Sequence, residues 1–182
     1  MALGLRSLVV SLVGVLAATL CGGALAVTQI GFALDRSGNV ALSDFDLQAD
    51  GLSAALAAVP TDGSVEVTVV SYASSVTTVI PPTIVTAANI ANIVATVAAE
   101  SGGSGGTRTD LAIDELTALM TGSPVFAAAD TTSLINVSTD GAPNSQSLTE
   151  AAGVNANAAG IDFISFEAVG SGVSSTTASV LV

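Results

Sequence analysis

Residues 27–39 read V-T-Q-I-G-F-A-L-D-R-S-G-N. Val27 to Leu34 is a short apolar run, as expected of a strand buried on both faces of a sheet. It stops at Asp35-Arg36-Ser37-Gly38-Asn39, residue types that favour a turn. The segments beyond this turn decide the kind of sheet. Ser43-Asp44-Phe45-Asp46 forms an approximate capping box, opening a helix whose apolar face is Phe45, Leu52, Leu56 and Val59 and which Pro60 stops. Ser64 to Tyr72 is β-branched and strand-like. Val76 to Ile80 is a second, shorter strand, which Pro81-Pro82 marks as an edge. Thr86 caps a helix running to about Glu100, with Ile90, Ile93, Val94 and Val97 at helical spacing. A glycine-rich loop then leads into a helix through Leu111, Leu116, Leu119 and Met120. Ser133 to Ser138 is a strand that ends at Thr139-Asp140-Gly141. Ser147-Leu148-Thr149-Glu150 is a second capping box for a helix ending near Gly160, and Ile161 to Glu167 is the last clear strand. The order β-α-β-β-α-α-β-α-β predicts an α/β fold. Its form is a doubly wound, mostly parallel open sheet with helices on both faces.

Toward the N-terminus the pattern changes. Residues 1–26 carry Arg6 in a positive leader, an apolar stretch from Leu8 to Leu20, and Ala24-Leu25-Ala26 as a small-x-small cleavage site. That is the pattern of a signal peptide, with an uncleaved anchor as the rival reading. Cys21 follows Leu20, where a lipoprotein signal needs a small residue. Cleavage after Ala26 leaves an exported chain with no cysteine, held together by its core alone. The expected division is therefore a signal peptide over 1–26, a domain over 27–168 and a Gly/Ser/Thr-rich tail over 169–182. The mature chain contains no expected membrane span, and its expected location is secreted, either periplasmic or extracellular.

Composition removes whole classes of chemistry. The chain has 182 residues, 3 Lys+Arg against 15 Asp+Glu, no His and a net charge of −12. All three cations are arginines: Arg6, Arg36 and Arg108. Without His there is no imidazole base and no Ser-His or Cys-His pair. Without Lys there is no P-loop lysine and no Schiff base. A chain this acidic repels phosphate backbones, so no nucleic-acid partner is expected. The 50% hydrophobic content separates it from disordered acidic tails.

Ligands of open α/β sheets bind beyond the carboxyl ends of the strands. Three loops lie there: residues 35–39, 102–109 and 139–144. Each supplies carboxylate, hydroxyl or amide oxygens, and the mature chain offers no softer ligand. A metal held by this set is a hard cation: Mg²⁺, with Ca²⁺ or Mn²⁺ as the other candidates. Plainer roles exist for the same residues. Asp35 and Ser37 suit a simple Asx turn, the run Gly102 to Gly106 suits a flexible connection, and Thr109-Asp110 suits a helix cap.

The motifs D-R-S-G-N at 35–39, Thr107 and Asp140, with G-L-S-A-A-L-A-A at 51–58 and D-G-A-P-N-S at 140–145, resemble a von Willebrand factor type A domain of the secreted bacterial branch. The resemblance covers roughly residues 27–168. It implies a Rossmann-like sheet and a metal-ion-dependent adhesion site, with Asp35, Ser37, Thr107 and Asp140 as metal residues. Asn39 stands where the family has a second serine, and its carbonyl offers a hard oxygen about one bond further out. Either the loop shifts or a water intervenes, so weaker binding or a drift toward Ca²⁺ is expected. The family carries a sixth strand and a closing helix, and the chain ends soon after its fifth strand. The expected architecture thus lacks them, unless Ala178 to Val182 supplies a strand. Arg36 and Arg108 each adjoin an expected ligand; they either pair with a partner's carboxylate or neutralise Asp44, Asp46 or Asp110.

The function this implies is a secreted, divalent-cation-dependent protein-binding module for adhesion or assembly, not an enzyme. Its partner is a protein or peptide offering a carboxylate. The alternatives are a metal-assisted hydrolase using the same carboxylates and a non-binding, truncated structural module.

Overall fold

The computed structural model describes residues 26–128 and 130–169. The expected leader and the Gly/Ser/Thr tail lie outside the described residues, apart from Ala26 and Val169. The elements are β1 (Thr28–Asp35), α1 (Leu42–Ala57), β2 (Asp62–Tyr72), β3 (Val76–Thr86), α2 (Ile90–Ala98), α3 (Thr109–Thr121), β4 (Thr132–Thr139), α4 (Gln146–Ala158) and β5 (Phe163–Ala168). The order matches the sequence expectation element for element. They form a five-stranded sheet in the order β3-β2-β1-β4-β5. β1 runs parallel to both β2 and β4, β4 runs parallel to β5, and β2–β3 is the one antiparallel pair among the described residues.

Several boundaries differ from the expectation, each for a local reason. β3 runs on through Pro81-Pro82 to Thr86 instead of stopping at Ile80. The pairing slips between Val67↔Thr83 and Val69↔Ile80, so the prolines, which have no N–H to donate, sit in a bulge on the sheet edge. The Ser43 capping box does not form. Helix α1 starts at Leu42 with Ala41 as its N-cap and no side-chain bond there. Asn89, not Thr86, precedes α2, and its side-chain carbonyl accepts from the Thr86 N–H at 2.8 Å. The cap of α4 is Ser145, two residues before the expected box, with Oγ accepting from Leu148 N–H at 3.4 Å.

Two apolar cores sandwich the sheet. On one face α1 and α2 bury Phe45, Leu52, Leu56, Ile93 and Val97 against Leu34, Val67 and Val69. On the other, α3 and α4 bury Ile113, Leu116, Met120, Ala152 and Ala156 against Ala33, Val70, Ile135 and Val137. Helices on both faces explain why β1 reads as a nearly continuous apolar run. At the lower end of the sheet the buried Glu66 carboxylate accepts from Gln29 Nε2 at 2.6 Å and from Ser123 Oγ at 2.8 Å. Those bonds tie β1, β2 and the residue just past α3 together, and they satisfy a charge that burial would otherwise penalise. Among the described residues β5 is an outer strand, and its Phe163 is 61% exposed. No described helix is long and apolar enough to cross a membrane.

The order 3-2-1-4-5 places a topological switch between β1 and β4. After β1 the chain winds outward through β2 and β3, then returns to β4 on the other side. Loops leaving the carboxyl ends of β1 and β4 therefore diverge and leave a crevice. The three oxygen-bearing loops meet there.

Candidate metal centre

β1 delivers Asp35 at its last position, where the side chain is 0% exposed. Three elements fix it. Gln48 on α1 accepts from the Asp35 backbone N–H and donates to its carbonyl, both at 3.3 Å. Thr139, the last residue of β4, donates its hydroxyl to Asp35 Oδ2 at 2.7 Å. Ser37 N–H donates to Asp35 Oδ1 at 2.9 Å, which is the Asx turn that the residue types favour. Turn and site are thus one arrangement, since this turn leaves Ser37 Oγ 3.0 Å from Thr107 Oγ1.

The glycine-rich loop is stitched into place rather than loose. Gly38 N–H donates to Gly105 O at 2.9 Å, and Arg108 N–H to Ala73 O at 3.0 Å. Gly105 has φ +106°, a backbone conformation that favours glycine. Gly106 N–H donates to Ser74 Oγ at 2.8 Å, and a Cβ on Gly106 would collide with the Asn144 amide. Asn144 clamps Thr107 on both sides: its Oδ1 accepts from Thr107 N–H and its backbone N–H donates to Thr107 O, each at 2.9 Å.

All five expected ligands come together. Ser37 Oγ, Thr107 Oγ1 and Asn39 Oδ1 form a triangle with edges of 3.0, 3.1 and 3.3 Å. Asp35 stands behind Ser37, and Asp140 approaches from the other side, its Oδ1 accepting from Asn39 Nδ2 at 3.3 Å. In octahedral geometry adjacent oxygens lie about 2.8–3.0 Å apart around Mg²⁺ and about 3.3–3.7 Å apart around Ca²⁺. The observed edges span that interval, so the triangle fits one face of a hard cation's coordination shell. Among the described residues no three His, Cys, Asp or Glu side chains gather as a metal cage. Any charge at this centre comes from two aspartates, and the remaining donors are neutral oxygens.

The electrostatics favour a cation. Burial, then the nearby Asp35 and Asp44 carboxylates, push the Asp140 carboxyl above its ordinary value. Beneath the centre, burial and then the Asp35 charge push the Tyr72 phenol well above its usual range, and its hydroxyl donates to Ser138 O at 3.1 Å. A carboxyl whose folded-state value is raised favours folding below the ordinary carboxylate range. It loses that contribution as pH rises through the raised value. Asp140→Asn is therefore expected to melt above the unaltered protein in EDTA at neutral pH, with the gap closing as pH falls toward the ordinary carboxylate range. A gap independent of pH, measured by thermal melts across that range, would contradict this electrostatic account.

The two arginines part company. Arg108 forms a paired hydrogen-bonded bridge to Asp110, with Nη2 2.6 Å from Oδ2 and Nε 2.9 Å from Oδ1. The Arg108 guanidinium holds the Asp110 carboxyl below the usual range. Arg36 takes part in no ion pair among the described residues, and its side chain lies along Gly103.

Gln48, Thr139 and Asn144 escaped the sequence reading. Gln48 had a signal, being a polar residue three positions from Phe45 and four from Leu52 on an otherwise apolar stripe. Asn144 lies within the D-G-A-P-N-S motif, but nothing local tells that it reaches Thr107.

The von Willebrand factor type A domain family model matches residues 29–178. No curated protein matches the chain. Among solved structures, the manganese-loaded TRAP protein of Plasmodium vivax superposes with a TM-score of 0.71 at 14% identity, covering 86% of this chain and 62% of that one. Proximal thread matrix protein 1 of the mussel byssus gives 0.68 at 15% identity, covering 86% of this chain and 41% of that one. A further structure of the mussel protein has a zinc-occupied MIDAS motif and gives 0.61 at 16% identity, covering 79% of this chain and 37% of that one. An aerotolerance-related membrane protein of Bacteroides fragilis gives 0.62 at 20% identity, covering 79% and 68%. This chain thus spans about three fifths of the Plasmodium protein and about two fifths of the mussel protein. At these identities the likeness is one of fold.

Proposed function

This chain belongs to the von Willebrand factor type A domain family, and from that premise we propose that it is an exported module binding a protein or peptide carboxylate through a divalent cation. The observation that carries the reading is the oxygen triangle of Ser37, Asn39 and Thr107, backed by the buried Asp35 and by Asp140. Ser37, Thr107 and Asn39 would hold the cation by neutral oxygens, and Asp35 and Asp140 would balance its charge. When bound, such a cation supplies a Lewis-acid position at which a partner's carboxylate is received.

This chain's own residues prepare that position. Gln48, Thr139 and Asn144 keep the ligands in place, as the outer partners of a metal site do. Arg36 adds a positive charge at the rim, offsetting the repulsion a −12 chain exerts on an acidic partner. The location rests on the leader pattern of residues 1–26. Metal-loaded structures among the fold neighbours support the cation, and Mg²⁺, Ca²⁺ and Mn²⁺ are all candidates. We read the site as binding rather than hydrolytic. The chain has no His or Lys to serve as a base beside the proposed ligands.

Calorimetric titration of the protein with Mg²⁺, Ca²⁺ and Mn²⁺, followed by an acidic peptide with and without cation, tests this. Saturable cation binding is expected, with the peptide binding only in its presence. Absence of heat with all three cations would overturn the proposal.

A further inference from the structure

We infer that Asn39 is a two-ended positioning residue, its carbonyl completing the oxygen face and its amide holding Asp140, so that this centre works better with asparagine than with the family's serine. The inference rests on the cation-binding reading above and deepens it. Its ground is the side chain's place among its neighbours. One end, Oδ1, lies 3.1 Å from Ser37 Oγ and 3.3 Å from Thr107 Oγ1. The other end, Nδ2, donates to Asp140 Oδ1 at 3.3 Å. Among the described residues it is the one side-chain donor to that carboxylate. Asn39 thereby joins loops 101 residues apart in sequence.

The extra bond length that makes asparagine look ill-suited in the sequence is what this arrangement uses. The residue starts from an exposed position on the loop and reaches inward, and a planar amide presents acceptor and donor on opposite sides. A serine hydroxyl ends about one bond short of both contacts, at the depth of the Asn39 Cγ. It cannot span Thr107 and Asp140 together. The opposite loop leaves room for the amide: a Cβ at Gly141 would stand only 3.0 Å from Asn39 Nδ2. Glycine after Asp140 and asparagine at 39 therefore fit one another. Holding Asp140 by a neutral donor also orients its carboxylate without adding charge, the role partners behind metal ligands commonly serve.

The test compares the unaltered protein with Asn39→Ser and Asn39→Ala. Two quantities are measured: Mn²⁺ affinity by calorimetry and the melting temperature in EDTA. Loss of such a partner typically weakens metal binding by about 10–100-fold, and at least about tenfold weaker Mn²⁺ binding is expected for Asn39→Ser. Both variants are expected to melt below the unaltered protein in EDTA, because Asp140 loses its donor. Equal or tighter Mn²⁺ binding by Asn39→Ser would overturn the inference while leaving the cation site standing. Unchanged melting of both variants in EDTA would also overturn it, by showing that the amide does not hold Asp140. Failure of the unaltered protein to bind any of the three cations would instead remove the site itself, and this inference with it.

Discussion

Asp35→Asn is expected to abolish detectable binding of Mg²⁺, Ca²⁺ and Mn²⁺ and to lower the melting temperature in EDTA as well. The carboxylate is fully buried and each of its oxygens has an assigned donor, the Ser37 N–H on Oδ1 and the Thr139 hydroxyl on Oδ2. An asparagine keeps the shape but replaces one acceptor with a donor. At that end it faces either an N–H, which cannot reverse, or the Thr139 hydroxyl, which must turn its proton to Gly141 O at 3.1 Å and accept instead of donate. A buried hydrogen bond to a charged group contributes about 1.5–3 kcal/mol and a neutral one about 0.5–1.5 kcal/mol, so both bonds weaken when the charge is removed. For a domain of this size that corresponds to a melting temperature lower by about 5–10 °C. The cation loses one of the two carboxylates proposed to balance its charge. Calorimetry and thermal melts on the same samples check both effects. Cation affinity retained within about threefold, a change of well under 1 kcal/mol, would remove Asp35 from the centre.

The largest loss of stability is expected from Phe45→Ala. Phe45 is 0% exposed and packs in the core formed by α1, α2, Leu34, Val67 and Val69. Truncating a buried phenylalanine to alanine costs about 3–5 kcal/mol through lost burial and the cavity left behind. The expected drop in melting temperature is about 10–15 °C. Phe45 also anchors the first turns of α1, one turn before Gln48, whose amide fixes both backbone groups of Asp35. Even so, a protein still folded at low temperature should bind cation within a few-fold of the unaltered one, since Phe45 belongs to the apolar core and makes none of the hydrogen bonds of the centre. The pair of variants thereby separates site from scaffold: Asp35→Asn removes binding at modest cost in stability, and Phe45→Ala does the reverse. A melting temperature lowered by less than about 3 °C would mean that α1 does not depend on this packing.

Much of this was legible locally. The apolar run before Asp35 announced a strand covered on both faces, and helices α1 to α4 do cover it. The element order needed no tertiary information, because periodicity and turn residues are properties of neighbouring positions. Caps and strand ends were less legible. Ser43-Asp44-Phe45-Asp46 has the right residue types, but α1 begins one residue earlier, at Leu42, with Ala41 as its N-cap and no side-chain capping bond. Pro81-Pro82 marks an edge strand, and β3 does lie at the sheet edge, but its run past Ile80 was not legible because a bulge that tolerates two prolines depends on the partner strand β2. Arg36 and Arg108 looked alike beside their motifs, and only the fold, with Asp110 turned toward Arg108, told them apart.

The amino-acid sequence by itself determined the inventory: an α/β chain with apolar strands, no histidine, no cysteine but Cys21, and oxygen donors gathered into three loops. What those donors do together was decided by the sheet. Ser37 meets Thr107 across 70 residues of chain, and Asn39 meets Asp140 across 101. The second contact arises because β1 and β4 lie side by side and parallel, with their carboxyl ends at one edge, and the first because the glycine-rich loop is bonded to Gly38 and to Ala73 beyond the end of β2. No local rule could show that Asn39 spans the gap between two loops, because the width of that gap is a property of the assembled sheet.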